Sequence, residues 1–263
     1  MQIFDMENII TDKYSLYHGD CLEVMQSLPE NSIDMVLCDL PYGTTACSWD
    51  RVIHFDKLWK SYKRIVKPNC AICLFGTEPF SSALRMSNLK DFKYDWIWEK
   101  SKSGFAFTAK YRPVCKHETI SVFSLNGKRT QYYPIMESGE PYHRTHKISE
   151  CDINNHGIGF NRREVESTND GYRYPTTILR FQQKWRRQDQ LHPTQKPVAL
   201  LEYLIKTYSN ESDVVLDNCM GSGSTGIACL NTNRKFIGIE LDDNYFNVAK
   251  QRIETHVPQK CLF

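Results

Sequence analysis

Residues 214–226 read VVLDNCMGSGSTG, an apolar strand followed by a glycine-rich turn and the start of a helix. Gly221 and Gly223 allow the backbone to turn tightly and to approach a ligand, and the helix start offers unpaired N–H groups. The next predicted strand ends at Glu240, whose carboxylate can bind the two hydroxyls of a ribose. The segment therefore predicts a nucleotide-like ligand at a strand-to-helix turn, with a tight turn that binds nothing as the alternative.

Outward from this turn, apolar strands alternate with amphipathic helices along most of the chain. Strands are predicted at 32–38, 71–75, 94–98, 119–123, 213–217 and 236–240, and helices at 55–66, 80–89, 197–208, 225–230 and 244–253. This alternation predicts an α/β fold with a mainly parallel, doubly wound sheet that helices cover on both faces. Regular periodicity fades between residues 126 and 190, which predicts an irregular inserted lobe.

The bulk composition limits the class of protein without identifying it. The 263 residues suffice for one large domain or a domain with an insertion, and the net charge of +2 neither shows nor excludes a nucleic-acid partner. The chain begins without a signal-peptide pattern and has no apolar run long enough to span a membrane. We therefore expect a cytoplasmic protein whose 10 cysteines are reduced and mostly buried. Cys70 and Cys73 should point to opposite faces of a strand, which argues against a metal site there.

A second strand, at 32–38, is followed by the segment Asp39-Leu40-Pro41-Tyr42. Ligands of doubly wound sheets bind at the carboxyl ends of the strands. An amino group on an aromatic base is a poor nucleophile, because its lone pair is delocalised into the ring. The carboxylate of Asp39 and a main-chain carbonyl can accept its two N–H bonds and favour the tetrahedral form, while Tyr42 stacks on the base. Taken alone, the segment also fits an ordinary strand-ending turn.

Four segments in a defined order resemble the beta-class amino-group DNA methyltransferases. The segment at 39–42 is similar to the D-P-P-Y motif, with Leu40 in place of the first proline; the acceptor there is a main-chain carbonyl, so what is lost is the fixed φ of proline. Asp217-x-x-x-Gly221-x-Gly223-x-Thr225 resembles the cofactor motif. His18-Gly19-Asp20-Cys21 and the HPTQKP segment at 192–197 resemble the flanking segments of that class, in which the catalytic motif precedes the cofactor motif.

The resemblance implies a Rossmann-like methyltransferase fold with a circularly permuted motif order, and S-adenosylmethionine as cofactor without any required metal. Asp20 would contact the cofactor adenine and Glu240 the ribose, while Thr194 and Lys196 would hold the methionine carboxylate. The catalytic residues would be Asp39, Leu40, Pro41 and Tyr42. The expected cofactor contacts are Asp20, Cys21, Asp39, His192, Thr194, Lys196, Asp217, Asn218, Met220, Gly221, Ser222, Gly223, Ser224, Thr225, Glu240 and Leu241.

Simpler roles remain open for three residues. Asp20 fits a turn or helix-cap acid, and Lys196 fits a solvated surface lysine. Glu118, which follows His117 in a predicted strand, is interpreted as structural or peripheral.

The predicted organisation is a catalytic half at 14–125, a target-recognition insertion at 126–190, a cofactor-binding half at 191–255 and a tail at 256–263. Basic and aromatic residues interleave in the insertion, which suits phosphate contact and base stacking. The densest cluster is Lys184-Trp185-Arg186-Arg187, and we expect it to contact DNA. A solvated surface with scattered charge is the alternative.

These features predict a site-specific methyltransferase that modifies the N6 amino group of adenine, flipped out of double-stranded DNA. Adenine is favoured because the catalytic motif begins with Asp, whereas Ser is the commoner residue there in cytosine-N4 enzymes. The open alternatives are a cytosine-N4 DNA enzyme, an RNA or protein amino methyltransferase, a nicotinamide-dependent oxidoreductase and a non-catalytic DNA-binding protein. The resemblance also leaves room for a homodimer and for a cognate restriction endonuclease as partners, and no membrane partner is expected.

Overall fold

A computed structural model describes residues 8–43, 51–101, 109–125, 129–149, 162–182 and 195–257. The chain divides into two compact units, residues 1–133 with 177–263, and residues 134–176. No helix within the described residues is long and apolar enough to cross a membrane.

Every strand and helix predicted above is present. The strands are β1 (Asn8–Ile10), β2 (Tyr14–His18), β3 (Ile33–Cys38), β4 (Val66–Gly76), β5 (Phe92–Glu99), β6 (His117–Phe123), β7 (Glu137–Ser138), β8 (Tyr142–Ser149), β9 (Arg162–Asn169), β10 (Tyr172–Arg173), β11 (Ile178–Leu179), β12 (Val214–Asp217) and β13 (Lys235–Glu240). The helices are α1 (Cys21–Ser27), α2 (Phe55–Ile65), α3 (Phe80–Ser87), α4 (Val198–Tyr208), α5 (Ser224–Asn231) and α6 (Asp243–Glu254). Of these elements, β1, β2, β7 to β11 and α1 were not predicted.

One boundary differs in kind from the prediction. The helix predicted at 55–66 ends at Ile65, and β4 starts at Val66 without an intervening loop. Pro68 lies inside that strand, and its ring cannot continue a helix. The strand predicted at 71–75 is therefore the buried part of a longer strand.

The larger unit is built on a nine-stranded sheet in the order β1-β2-β13-β12-β3-β4-β6-β5-β11. Among these described strands, five of the eight pairings are parallel, so the predicted mainly parallel α/β fold is confirmed. Two strands depart from this direction: β1 at the edge is antiparallel to β2, and β6, which lies between β4 and β5, runs antiparallel to both. The alternation of strands and helices did not predict the reversal of β6.

Alternate residues of the central strands face two separate hydrophobic cores. In β3, Met35 and Leu37 face the core formed with α4, α5 and α6, whereas Val36 and Cys38 face the core formed with α1, α2 and α3. Cys73 belongs to the first core and Cys70 to the second, so their predicted placement on opposite faces is confirmed. Helices therefore cover both faces of the sheet, as predicted.

The smaller unit lies within the sequence range of the predicted insertion. Its described strands form two antiparallel pairs, β8 with β9 and β7 with β10. All the helices that the structure describes belong to the larger unit.

Candidate active site

Two neighbouring strands bring the two sequence motifs together. β3 and β12 are adjacent and parallel, with Met35 opposite Val215, so their carboxyl ends meet at one edge of the sheet. Asp39 follows β3, and the glycine-rich turn follows β12. β13 lies beside β12 and ends at Glu240, which places this acid at the same edge.

The reversed strand β6 adds its first residues to that edge. Because β6 is antiparallel to β4, its beginning lies beside the end of β4, with Thr119 opposite Gly76. Glu118 is opposite Trp98 near the end of β5, and Lys100 follows β5 directly. The amino end of β6 therefore contributes a carboxylate to the edge where the parallel strands terminate.

These strand ends border a cavity of about 590 Å³, which lies within the usual size range of small-molecule sites. The expected site residues that line it are Asp20, Cys21, Asp39, Leu40, Pro41, Tyr42, Lys196, Asp217, Asn218, Met220, Gly221, Ser222, Ser224, Thr225, Glu240 and Leu241. His192, Thr194 and the cluster at 184–187 lie outside the described residues.

Gly223, also an expected cofactor contact, packs against the body of the protein. It has φ of +75° at the start of α5, and a Cβ there would lie 3.1 Å from both Ala249 Cβ and Ile253 Cδ1. This glycine therefore serves the close approach of α5 to α6.

A row of alternating charges stands in the wall of the cavity. Tyr42 donates a hydrogen bond of 2.6 Å to Asp39 Oδ1, and the Lys196 ammonium pairs with Asp39 Oδ2. Lys196 Nζ also lies 3.2 Å from Glu118 Oε2, and the other oxygen of Glu118 pairs with Lys100 at 2.5 Å. The row thus runs from Asp39 through Lys196 and Glu118 to Lys100.

Burial and mutual pairing set the ionisation of this row. Burial raises the pKa of Asp39 and the Glu118 carboxylate raises it further, while Lys196 opposes both. Burial would also raise the pKa of Glu118, but the ammonium groups of Lys196 and Lys100 outweigh it and hold that pKa below its usual value. Burial acts to lower the pKa of Lys196, but the carboxylates of Asp39 and Glu118 outweigh it and raise that pKa. Glu118 and Lys196 therefore stay charged at neutral pH.

Tyr42 is held as a hydrogen-bond donor. Burial and the neighbouring carboxylate of Asp39 raise the pKa of its hydroxyl well above the usual value. Its ring packs on Phe80, with ring centroids 4.9 Å apart and planes inclined by 33°. Phe80, at the start of α3, was not predicted as part of the site.

The glycine-rich turn is tied to the end of the next strand. Gly221, at φ +51°, donates from its amide to Glu240 Oε2 at 2.8 Å. The amides of Leu241 and Asp242 donate to Glu240 Oε1 at 3.0 and 2.9 Å. Burial raises the pKa of Glu240, and these three N–H groups oppose the shift. The carboxylate is therefore fixed in orientation at the cavity.

Asp217 and Asn218 hold the shape of the same turn. Asp217 Oδ2 accepts a 2.6 Å hydrogen bond from the Thr225 hydroxyl, and Oδ1 accepts one of 3.1 Å from the Cys219 amide. Burial raises the pKa of Asp217 to about 6 despite these donors. Asn218 Oδ1 accepts a 2.6 Å bond from Tyr62 of α2.

The simpler roles considered for Asp20 and Lys196 have different outcomes. Asp20 caps α1, since its Oδ1 accepts from the amides of Leu22 and Glu23 at 2.8 and 3.3 Å, and it lines the cavity as well. Lys196 is not a solvated surface lysine, because only 6% of its side chain is exposed.

Neither Glu118 nor Lys100 was predicted as a site residue; Glu118 was interpreted as structural or peripheral. Glu118 does not lie at the periphery, since it lines the cavity and is buried. A carboxylate near the start of an otherwise apolar strand is the one signal that marked it, and it is a weak one.

Arginine and tyrosine side chains stack on one another in the smaller unit. The guanidinium carbons of Arg144 and Arg173 lie 4.9 and 4.8 Å from the ring centroid of Tyr142. Tyr172 and Tyr174 are exposed. In the larger unit, Arg180 pairs with the Glu99 carboxylate at 2.9 Å.

The family model described as DNA methylase, N6_N4_Mtase, matches residues 33–251. The chain therefore belongs to the DNA methylase family, and the predicted amino-group DNA methyltransferase is confirmed at the level of an N6-adenine or N4-cytosine enzyme. A similar curated protein is the type II methyltransferase M.HpaI of Haemophilus parainfluenzae, 28% identical over 250 residues that cover 90% of this chain and 73% of that protein. Another is the type II methyltransferase M2.DpnII of Streptococcus pneumoniae, which is 24% identical over 273 residues that cover 92% of this chain and 90% of that protein.

Solved structures of methyltransferases share the fold. The M1.HpyAVI–SAM complex superimposes with a TM-score of 0.58 at 24% identity, covering 91% of this chain and 98% of that chain. The cytosine-N4-specific PvuII DNA methyltransferase superimposes with a TM-score of 0.64 at 17% identity, covering 91% of this chain and 86% of that chain. A third structure is TTHA0409 of Thermus thermophilus, described as a putative DNA modification methylase complexed with S-adenosyl-L-methionine. It superimposes with a TM-score of 0.56 at 20% identity, covering 94% of this chain and 98% of that chain.

Proposed function

We propose that the protein transfers a methyl group from S-adenosylmethionine to the exocyclic N6 amino group of adenine at specific sites in double-stranded DNA. The observation that carries this proposal is the position of Asp39. Its carboxylate lies in the same cavity wall as Tyr42 and shares that cavity with the glycine-rich turn and Glu240. One cavity thus holds the groups suited to an amino substrate and to a nucleoside-containing cofactor.

The residues around the turn fit S-adenosylmethionine. Glu240 presents a buried carboxylate of fixed orientation, and the lone pair of Oε2 that no backbone amide occupies can accept a ribose hydroxyl. The cavity of about 590 Å³ accommodates a ligand of this size. Two of the neighbouring structures are described as complexes with this compound. When bound, the cofactor supplies a methyl group made electrophilic by a sulfonium.

The remaining cofactor contacts extend along the cavity. Asp20 is proposed for the adenine end, with Thr194 and Lys196 for the methionine carboxylate. Lys196 can serve the cofactor only in addition to its pairing with Asp39 and Glu118. Lys196 would therefore contact both the cofactor and the catalytic carboxylate of Asp39.

The catalytic segment acts on the amino group. Asp39 and the main-chain carbonyl of Leu40 accept its N–H bonds, which turns the nitrogen lone pair toward the methyl group. Tyr42 offers its ring to the base, and Phe80 supports that ring from the protein side. The mechanism requires neither a covalent intermediate nor a catalytic cysteine.

Adenine is proposed as the base because Asp39 begins the catalytic motif. Cytosine N4 remains the second candidate, since its amino group is also conjugated to a ring and one neighbouring structure carries that specificity in its name. That neighbour shares 17% identity and shows the fold alone.

DNA contact is proposed for the smaller unit and for Lys184, Trp185, Arg186 and Arg187. Stacked arginine and tyrosine side chains at Tyr142 and the exposed Tyr172 and Tyr174 support this assignment. A cognate restriction endonuclease is a further proposal, because the similar curated proteins are type II methyltransferases, and a homodimer is proposed from the family resemblance alone.

Methyl-labelled S-adenosylmethionine and unmethylated double-stranded DNA test the proposal. After incubation, the DNA is digested to nucleosides and the label is located. Label in N6-methyladenine supports the proposal. Label in N4-methylcytosine contradicts the choice of base, and absence of label in DNA under conditions where the cofactor binds contradicts the proposed substrate.

A further inference from the structure

Lys196 is shared between two buried carboxylates. Its ammonium contacts Asp39 Oδ2 and Glu118 Oε2, and its side chain is 6% exposed. Glu118 is in turn held by Lys100, whose side chain is 20% exposed. The four charges alternate and sum to zero, so each one is balanced by its neighbours.

A lysine paired only with Asp39 would weaken that carboxylate as an acceptor. Asp39 must retain electron density to accept N–H bonds from the target amino group. A Lys196 ammonium that paired with Asp39 alone would polarise this carboxylate more strongly and weaken it as an acceptor. Glu118 takes a share of the positive charge of Lys196. Lys100 limits this effect, because its ammonium also pairs with the Glu118 carboxylate and so weakens the attraction between Glu118 and Lys196.

We propose that Glu118 is a positioning residue that, through Lys196, keeps the Asp39 carboxylate in place and available as a hydrogen-bond acceptor for the target amino group. The inference rests on the proposed function, because it assigns Asp39 the task of accepting the amino N–H. It adds two residues without a recognisable sequence motif, Glu118 in β6 and Lys100 directly after β5.

Other groups around Asp39 do not replace this effect. Tyr42 donates to the opposite oxygen of the carboxylate. The Cys38 thiol remains protonated, because burial raises its pKa to about 12. The charge of Asp39 raises the pKa of Asp217, but the leading influences on the pKa of Asp39 itself are burial, Lys196 and Glu118.

The test measures the single-turnover rate of methyl transfer to DNA from about pH 5 to pH 9, because product release does not limit that rate. The variants are Glu118→Gln, Glu118→Asp and Lys100→Met. Glu99→Gln is the matched control, since Glu99 lies on the neighbouring strand, pairs with Lys116 and Arg180 and does not line the cavity. The dissociation constant for S-adenosylmethionine and the thermal unfolding temperature are measured for each protein.

We expect Glu118→Gln to reduce the rate by roughly tenfold or more, because the variant loses a charge-assisted hydrogen bond that holds Lys196. Removing its negative charge should shift the acidic limb of the pH profile to lower pH, because Glu118 raises the pKa of Asp39. Lys100→Met should shift the same limb to higher pH, because Glu118 then acts on Lys196 and Asp39 without its outer counter-ion. Glu118→Asp, which retains the charge, should recover part of the rate and the wild-type limb.

Several results would overturn the inference. The first is a Glu118→Gln variant whose single-turnover rate and acidic limb equal those of Glu99→Gln. The second is an acidic limb that moves in the same direction in Glu118→Gln and Lys100→Met. The third is a Glu118→Asp variant that recovers none of the rate lost in Glu118→Gln. If Glu118→Gln does not fold, the direction of the Lys100→Met shift decides the matter. If the wild-type protein transfers no label to DNA, the proposed function fails, which is distinct from failure of this inference.

Discussion

The amide of Gly221 donates a 2.8 Å hydrogen bond to the carboxylate of Glu240. The turn after β12 and the end of β13 are therefore one structural unit, although each was predicted as a separate feature. The bond also orients the Glu240 carboxylate in the cavity where a ribose would lie.

Glu240→Gln should weaken S-adenosylmethionine binding. A hydrogen bond to a charged group contributes about 1.5–3 kcal/mol, so the dissociation constant should rise by about tenfold to a hundredfold. Isothermal titration calorimetry measures this constant directly. Asp243→Asn is the control, because Asp243 lies nearby at the start of α6 but has an 84% exposed side chain and does not line the cavity. Equal affinities of the two variants would remove Glu240 from the cofactor site.

Asp39→Asn should abolish most of the methyl transfer while it leaves cofactor binding largely intact. The amide keeps the shape of the side chain but loses the negative charge and one acceptor, and the loss of such a contact at a reacting group costs about 10²–10³ in rate. Single-turnover assays and cofactor titration separate the two effects. Asp56→Asn, at an exposed acid of α2, should behave as wild type. A rate near that of wild type in Asp39→Asn would show that Asp39 is not at the catalytic centre.

Asp217 should make the stability of the protein depend on pH. Its pKa is about 6 in the folded chain, against about 3.9 for an unfolded aspartate, so the folded chain holds the proton to a higher pH. The free energy of unfolding should therefore fall as pH rises through this window, by roughly 3 kcal/mol from this group alone.

Asp217→Asn isolates this contribution because the variant lacks the titration. Urea unfolding at about pH 4.5 and pH 7 should show wild type losing stability relative to the variant at the higher pH. A stability difference that stays constant between the two pH values would contradict the raised pKa.

Gly226→Ala should destabilise the protein even though alanine favours helices. A Cβ at Gly226 would lie 2.6 Å from Ile253 Cδ1 and 2.9 Å from two ring atoms of Phe236. Overpacking of this kind costs about 1–3 kcal/mol, which exceeds the roughly 1 kcal/mol gained in helix propensity. The unfolding temperature should fall, and Ile253→Val in the same chain should restore part of it by removing the nearest atom. A higher unfolding temperature in Gly226→Ala would refute the packing argument.

Local signals account for what could be predicted of the fold and the site. An apolar strand that ends in an acid, as at Asp39 and Asp217, is visible in a few consecutive residues, and so is the glycine-rich turn. Parallel neighbours then bring such strand ends to one edge without further information. The cavity lining therefore includes nearly all the described residues that were expected in it.

The charged row could not be predicted, because its members come from separate elements. Lys100 follows β5, Glu118 is the second residue of β6, and Lys196 precedes α4. Their meeting depends on β6 running antiparallel between β4 and β5, and an apolar run does not reveal the direction of its strand. Gly223 has a packing role that the motif did not indicate, since a Cβ there would meet Ala249 and Ile253 of α6.

The most direct test of the account is the location of the methyl group in the DNA product. Wild-type protein and the Asp39→Asn variant are incubated with methyl-labelled S-adenosylmethionine and unmethylated double-stranded DNA, and the nucleosides are separated. The account predicts label in N6-methyladenine with wild type and almost none with the variant. Label in another nucleoside, or equal labelling by the two proteins, would contradict it.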